Sequence, residues 1–388
     1  MSNKAVIAGV GMTRFGRALD RTTRDLAGEA TTAALADASI TPADVEMVFF
    51  ANAVGGLYGG QEMVRGEVAL RASGLLGTAI VNVENACASG SSAVLLARQA
   101  VMSGQVDVAL AIGAEKLVHE DRAVSFRSLN TAVDLEEIGT APDDRSLYIG
   151  HYAAVARHAM ATTDLTRFDF AEVAAKNHLH GLENPHAQYG MKLSAEEVLA
   201  SRVVDDPLTV MMCSPLSDGA AAVVVMSAER FAGGPAVHLA GAGLRTGSDR
   251  TGKDPATFRA AHVAYEQAGI APSEIDVIEL HDAAASAEPL LYEQLGLCAP
   301  GDGVKLLRDG VTRIGGRVPV NPSGGLLSKG HPIGASGCAQ VVELYEQLKG
   351  RSGSRQVDGA RVAVSQNAGG WIGDDNAVSV VLVLMVDQ

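Results

Sequence analysis

Two hydrophobic patterns alternate along the chain. Short β-branched runs, such as Val106 to Ile112 ending at Gly113, predict strands, and Ala-rich stretches between them place apolar residues at helical spacing. Ser89 to Ser103 keeps that spacing with almost no charge, which predicts a helix buried nearly all round. Ala377 to Val386 is apolar except for Ser379, but a membrane span needs about 20 such residues, so this stretch predicts a buried strand. Strand and helix keep alternating, and the class is α/β with a largely buried sheet.

The pattern also repeats. Ile40 to Val48 lines up with Ile270 to Ile278, each reading as a helix end, a proline stop and a strand. Upstream, Ala8-Gly9-Val10-Gly11 matches Ala240-Gly241-Ala242-Gly243. Downstream, Ala88-Ser89-Gly90 matches Ala335-Ser336-Gly337. Three pairs in the same order at similar offsets predict two homologous halves, 1–231 and 232–388. Residues 118–207 have no counterpart in the second half. That stretch is polar, holds most of the histidines, and contains a capping-box signature at Ser194 to Glu197. An insertion of this size predicts a lid or substrate-binding loop domain.

Composition narrows the function. The 388 residues suit two or three domains. With 31 basic and 45 acidic residues the net charge is −14, which would repel a phosphate backbone, and 4% aromatics leaves little for base stacking. No nucleic-acid or membrane partner is expected. Cys87, Cys213, Cys298 and Cys338 lie far apart with no metal-ligand spacing, which excludes a disulfide scaffold and a zinc module and suits a reducing compartment. The first residues, Met1 to Phe15, carry no secretory pattern, so the expected location is the cytoplasm.

Four segments could carry chemistry. Asn85 to Ser92 places Cys87 between a predicted strand (Ala79 to Glu84) and the buried helix, where the helix dipole and free N–H groups favour thiolate. Position alone does not make it a nucleophile, since a free buried cysteine is commonly structural. Asn321 to Gly337 is a Gly-rich loop that locks His331 between Gly330 and Pro332, well placed as a base or oxyanion donor. Glu279-Leu280-His281-Asp282 lies at a strand end, and in Gln366 to Gly370 the residue Gly369 could offer an unobstructed backbone N–H.

Together these segments resemble the thiolase superfamily, most closely thiolases of the sterol carrier protein X type. The resemblance spans essentially the whole chain and includes Lys176-Asn177-His178, Asn184-Pro185 and Ser217 to Ala222. It implies two βαβαβαββ halves in a five-layered αβαβα sandwich, usually a homodimer, acting on acyl-CoA with coenzyme A as substrate and no further cofactor or metal. It implies that Cys87 is acylated, that His331 activates it, and that His281 helps hold the thioester oxygen. The N–H groups of Cys87 and Gly369 would form a second oxyanion hole. One departure stands out. Family members carry a second cysteine, which moves a proton on the α-carbon, at the place of Asn367 or, in the sterol carrier type, of Ala283. Its loss leaves open a thiolase-like aldolase or acyltransferase working with a small zinc-ribbon/OB-fold partner, and a non-catalytic acyl-CoA-binding protein. CoA is polyanionic and the protein acidic, so a local basic patch is expected, with Lys176, His178, Lys192 and Arg202 as candidates. Solvated surface charge explains any one of the four equally well.

Overall fold

The structure is a computed structural model and describes residues 4–140, 142–248 and 254–387. In the first part of the chain, β1 (Ala5–Met12), β2 (Met47–Ala51), β3 (Ala79–Val83) and β4 (Val108–Glu115) precede a two-stranded hairpin of β5 (Val203–Asp205) and β6 (Leu208–Thr209). β7 (Gly219–Ser227), β8 (Val237–Thr246), β9 (Val277–Glu279), β10 (Val362–Ile372) and β11 (Asp375–Val386) follow. The main sheet runs β3-β2-β4-β7-β1-β8-β11-β10-β9. On one side β2, β3 and β4 are parallel and β7 and β1 antiparallel; on the other β9 and β10 are parallel and β11 and β8 antiparallel. Val320 bridges to Ile278 where β3 flanks β2, so the order is the same from both outer edges inward. Within the sheet the two sides pair through β1 and β8, at Val6 with His238 and Ile7 with Val237.

Side chains on opposite faces of the same strand go to different cores. In β4, Ala109 and Ala111 join a central core while Val108, Leu110, Ile112 and Ala114 join an outer one. In β11, Val380 and Leu382 face the central core and Val381 and Val383 the opposite outer one. Strands buried on both faces read as continuous apolar runs, which is how they stood out in the sequence. Helix Thr23–Asp37 covers the first outer face and Ala256–Ala268 the second, each against glycines of its strand. A Cβ on Gly11 would meet the Ala34 N at 2.5 Å, and one on Gly243 the Ala260 O at 2.0 Å.

The central layer holds two helices, Ser89–Met102 and Ile333–Leu348, packed on one another. Their contact is reciprocal. A Cβ on Gly90 would stand 2.8 Å from the Cys338 N, and one on Gly337 would stand 2.2 Å from the Ser91 N. Small residues let the backbones touch, so each helix N-terminus projects toward the same region. This is the five-layered αβαβα sandwich that the sequence resemblance implies.

Most of residues 118–207 forms a helical subdomain on the second outer face. Its longer helices are Leu147–Thr162 and Arg167–His180, packed with Ala195–Ala200. Ser194 caps that last helix as a true capping box, its Oγ accepting from the Glu197 N–H and the Glu197 carboxylate accepting from the Ser194 N–H. Among the described residues no helix is long and apolar enough to cross a membrane.

Candidate active site

Cys87 lies on the single turn Ala86–Ala88, between β3 and the central helix that starts at Ser89. To aim it, Ala86 takes φ +48°, a left-handed conformation that costs a residue with a Cβ about 1–2 kcal/mol. Local bonds hold it there. The Ser89 hydroxyl donates to the Ala86 carbonyl at 2.6 Å and accepts the Asn85 N–H at 2.9 Å.

His331 reaches the same point from the other central helix. Gly330 before it adopts φ +109°, open only to glycine, and a Cβ there would meet the Ser217 Oγ at 2.6 Å. That hydroxyl oxygen accepts the His331 backbone N–H at 2.9 Å. The ring Nδ1 lies 2.7 Å from the Ser336 Oγ, whose own proton goes to the Pro332 carbonyl at 3.0 Å. The hydroxyl can therefore only accept from Nδ1–H. This assigns the neutral ring a proton on Nδ1 and a lone pair on Nε2.

His281, just past the end of β9, completes the group. Its ring meets that of His331 edge-on, with centroids 5.0 Å apart. A ligand atom from each of Cys87, His281 and His331 lies within 4.8 Å of the others, all three residues buried. A thiol and two imidazoles are also soft-metal donors, a constellation the spacing of the cysteines alone could not reveal. Gly369 closes the opposite side: a Cβ there would stand 2.2 Å from the Asn85 O and 3.1 Å from the Cys87 N, so only glycine lets the two backbones approach.

Burial sets the charges. It pushes the Cys87 thiol up to about 12, with Glu115 adding to the rise. It holds His331 well below the usual histidine range, helped by His281, and lowers His281 to about 4. The thiolate expected from the helix terminus is thus not the resting state, because desolvation outweighs the dipole. The free site holds a neutral thiol beside neutral imidazoles.

The loops around this trio would leave many N–H groups without partners, and four buried carboxylates collect them. Glu115, at the end of β4, accepts from the N–H groups of Ala53 (2.9 Å) and Gly334 (3.0 Å) and from the Asn52 amide, tying the first part of the chain to the histidine loop. Asp218 accepts from Leu117 and Val118 and pairs with Lys116 at 2.8 Å. Glu279 accepts from Ser323 and pairs with Lys329, and Asp282 accepts from Leu326 and the Asn177 amide. Sequence reading missed the role of Glu115, whose partners are remote in the chain. Asp218 and Glu279 stood inside motifs it quoted.

The trio opens into a cavity of about 1320 Å³ between the sheet ends and the helical subdomain. Ala283 lines it, whereas Asn367 is buried and donates to the Gln340 side chain. Cys213 reaches the same wall, on a bridge to Ala284. The expected basic patch needs correction. Lys176 is fully buried, its ammonium 2.7 Å from Glu288 and 3.0 Å from the Val320 carbonyl, and cannot meet a solvent-borne phosphate. Lys192 is exposed but off the cavity wall. His178 lines the cavity, buried, and Arg202 lies on its wall and is exposed. Arg17 and Arg122 join Arg202 as exposed arginines there, and none of the three is ion-paired among the described residues.

Comparison with known proteins places this geometry. Residues 5–229 match the thiolase N-terminal domain, and residues 244–383 match a thiolase C-terminal domain-like family. The chain belongs to the thiolase family. It is 38% identical to sterol carrier protein 2 of Bos taurus over 99% of this chain and 73% of that protein. It is 39% identical to an acetyl-CoA acetyltransferase of Methanothermobacter thermautotrophicus, covering 95% of this chain and 97% of the relative. Benzoylsuccinyl-CoA thiolase subunit BbsB of Thauera aromatica is also 39% identical, over 95% and 96%. The solved Ltp2-ChsH2(DUF35) aldolase superposes with a TM-score of 0.80 at 25% identity, covering 99% of this chain and 98% of that one. This thiolase-family chain is an acyltransferase enzyme.

Proposed function

We propose that this thiolase carries an acyl group on Cys87 and breaks or forms the C2–C3 bond of a 3-oxoacyl-CoA. The carrying observation is the mutual 4.8 Å spacing of Cys87, His281 and His331 at the cavity floor. In the cleavage direction His331 Nε2 takes the Cys87 proton as sulfur bonds to C3. The C2–C3 electron pair leaves on C2, held as the enolate of the departing thioester, and C2 then takes a proton. CoA thiol next attacks the acyl sulfur ester, gives up its proton and frees Cys87. Gly369 abuts the Cys87 N–H, where only a glycine leaves room for a substrate oxygen, which supports an oxyanion site there. His281 supports a second. Incubation with an acyl-CoA should add one acyl group to Cys87, read by peptide mass. Cys213 on the same wall is the internal control, and label there or in Cys87→Ala would refute the assignment.

With no cysteine at 283 or 367, the group that protonates C2 is drawn from the cavity wall. Asp282 is an unsuitable donor, because its carboxylate is already committed to Asn177 and Leu326. His281 is the nearest imidazole besides His331. The vacant cysteine positions and the likeness to the Ltp2-ChsH2(DUF35) aldolase favour a second reading, an aldolase or acyltransferase working with a small zinc-ribbon/OB-fold partner. Activity that appears only when such a subunit is added would select it.

Arg17, Arg122 and Arg202 are the cations we assign to the CoA phosphates, and removing all three should weaken CoA but not pantetheine thioesters. The strand order read from both edges supports homologous halves at 1–231 and 232–388. A homodimer is supported by the outer edge of β3, which pairs only with β2 in the sheet and leaves Val81 exposed. Four free thiols are consistent with the cytoplasm.

A further inference from the structure

The chain is poor in aromatics, with 8 Phe, 7 Tyr and one Trp in 388 residues. Yet Phe126, Tyr148, Tyr152 and Trp371 all line the cavity that holds Cys87. They are not scattered fillers. Trp371 lies two residues beyond Gly369, whose backbone abuts Cys87. His151 stacks on the indole at 4.6 Å and 10°, and Tyr148 meets it edge-on at 4.7 Å. The Tyr148 hydroxyl donates to the Ala132 carbonyl at 2.9 Å, and the Trp371 N–H of the backbone bonds the same oxygen. The indole plane is thus fixed from two sides. Tyr152 continues the wall toward His281, its hydroxyl without a hydrogen-bond partner among the described residues. Fixed aromatic faces gain most from a flat group that can stack or meet them edge-on, beyond the area it buries.

We propose that the acyl group taken onto Cys87 carries a planar ring close to its carbonyl carbon, seated against Trp371 and Tyr148. The inference rests on Cys87 being the acylated residue. In the step tested, Cys87 sulfur bonds to the thioester carbonyl carbon, the bond from that carbon to CoA sulfur breaks, and CoA leaves as the thiol with the proton passed through His331.

Trp371 is the only tryptophan, so its emission reports occupancy of this wall directly. Benzoyl-CoA, octanoyl-CoA and butyryl-CoA would be titrated against the full chain, following Trp371 emission for binding and the mass of the Cys87 peptide for acylation. Benzoyl-CoA is expected to bind and to acylate at least tenfold better than octanoyl-CoA. Trp371→Leu and Tyr148→Leu, followed by mass, should each cut that preference by about two- to twelvefold, the value of one aromatic pair. Equal or better use of octanoyl-CoA would overturn the proposal, as would a preference unchanged in both variants. The comparison of substrates needs no variant to fold. If no acyl-CoA labels Cys87, the covalent reading fails, and the emission titration still decides whether the wall prefers a ring.

Discussion

Ser336→Ala tests the chemistry at one hydroxyl. In the resting site the His331 Nδ1–H donates to Ser336 across 2.7 Å, a bond between neutral groups worth about 0.5–1.5 kcal/mol. When His331 takes the Cys87 proton the same bond gains a charged donor, and such bonds are worth about 1.5–3 kcal/mol. The rate senses only the increment, about 1–2 kcal/mol, which corresponds to a loss of about 5- to 30-fold in acylation. The neutral ring also loses the partner that keeps Nε2 unprotonated. Ser336 is fully buried in a helix, where alanine fits and is the better helix former, so folding should survive. The assay is single-turnover acylation of Cys87 at saturating acyl-CoA, with Trp371 emission showing that binding is unchanged. A variant that acylates within twofold of the parent would refute His331 as a base held through Nδ1. A loss confined to binding would do the same.

Four further outcomes follow from the same geometry. With Cys87 pushed up to about 12 and His331 well below its usual range, the neutral pair persists across neutral pH, so acylation should be flat from pH 6.5 to about 10 and iodoacetamide labelling slow at pH 7; a rise centred between 7 and 8 would show a thiolate–imidazolium pair instead. Ala283 faces the cavity, so Ala283→Cys should raise acetoacetyl-CoA thiolysis, which general acid–base catalysis could improve by about 10²–10⁴-fold, and fast thiolysis by the parent would show that another group already moves the proton. Glu115→Ala strands the N–H groups of Ala53 and Gly334 and should cost about 2–5 kcal/mol in urea unfolding, with Glu115→Gln costing less. His281 titrates near 4 folded against about 6.5 unfolded, so the unfolded chain takes the proton first; the stability this gives is full above pH 6.5 and is lost between 6.5 and 4, about 3 kcal/mol in all, and His281→Asn should flatten that loss in acid denaturation.

What could be read from the chain alone depended on how local the cause was. β4, β7 and β11 are buried on both faces, and a strand in that position has no polar alternation to hide it. The glycine pairs repeat because each packs a strand backbone onto its own helix, a constraint settled within about 30 residues. Gly90 and Gly337 went further, since a sequence match between them became a physical contact across the middle layer. Lys176 failed for the opposite reason. Its partner Glu288 lies in another segment, and nothing around Lys176 distinguishes a lysine bound for the interior from one bound for a phosphate.

The charge state of Cys87 shows the same limit in energetic form. A cysteine beside a helix N-terminus reads as a thiolate because the dipole is a local property, legible from a few residues. Desolvation is not local, since it is imposed by everything that buries the sulfur, including β10 from the far end of the chain. The dipole is worth at most about 2 kcal/mol, whereas burial lifts the thiol from 9.0 to about 12, roughly 4 kcal/mol against the thiolate. On the proposed mechanism the nucleophile is therefore made during the reaction rather than stored beforehand. The demand on that mechanism falls on His331 and on the hydroxyl of Ser336 behind it.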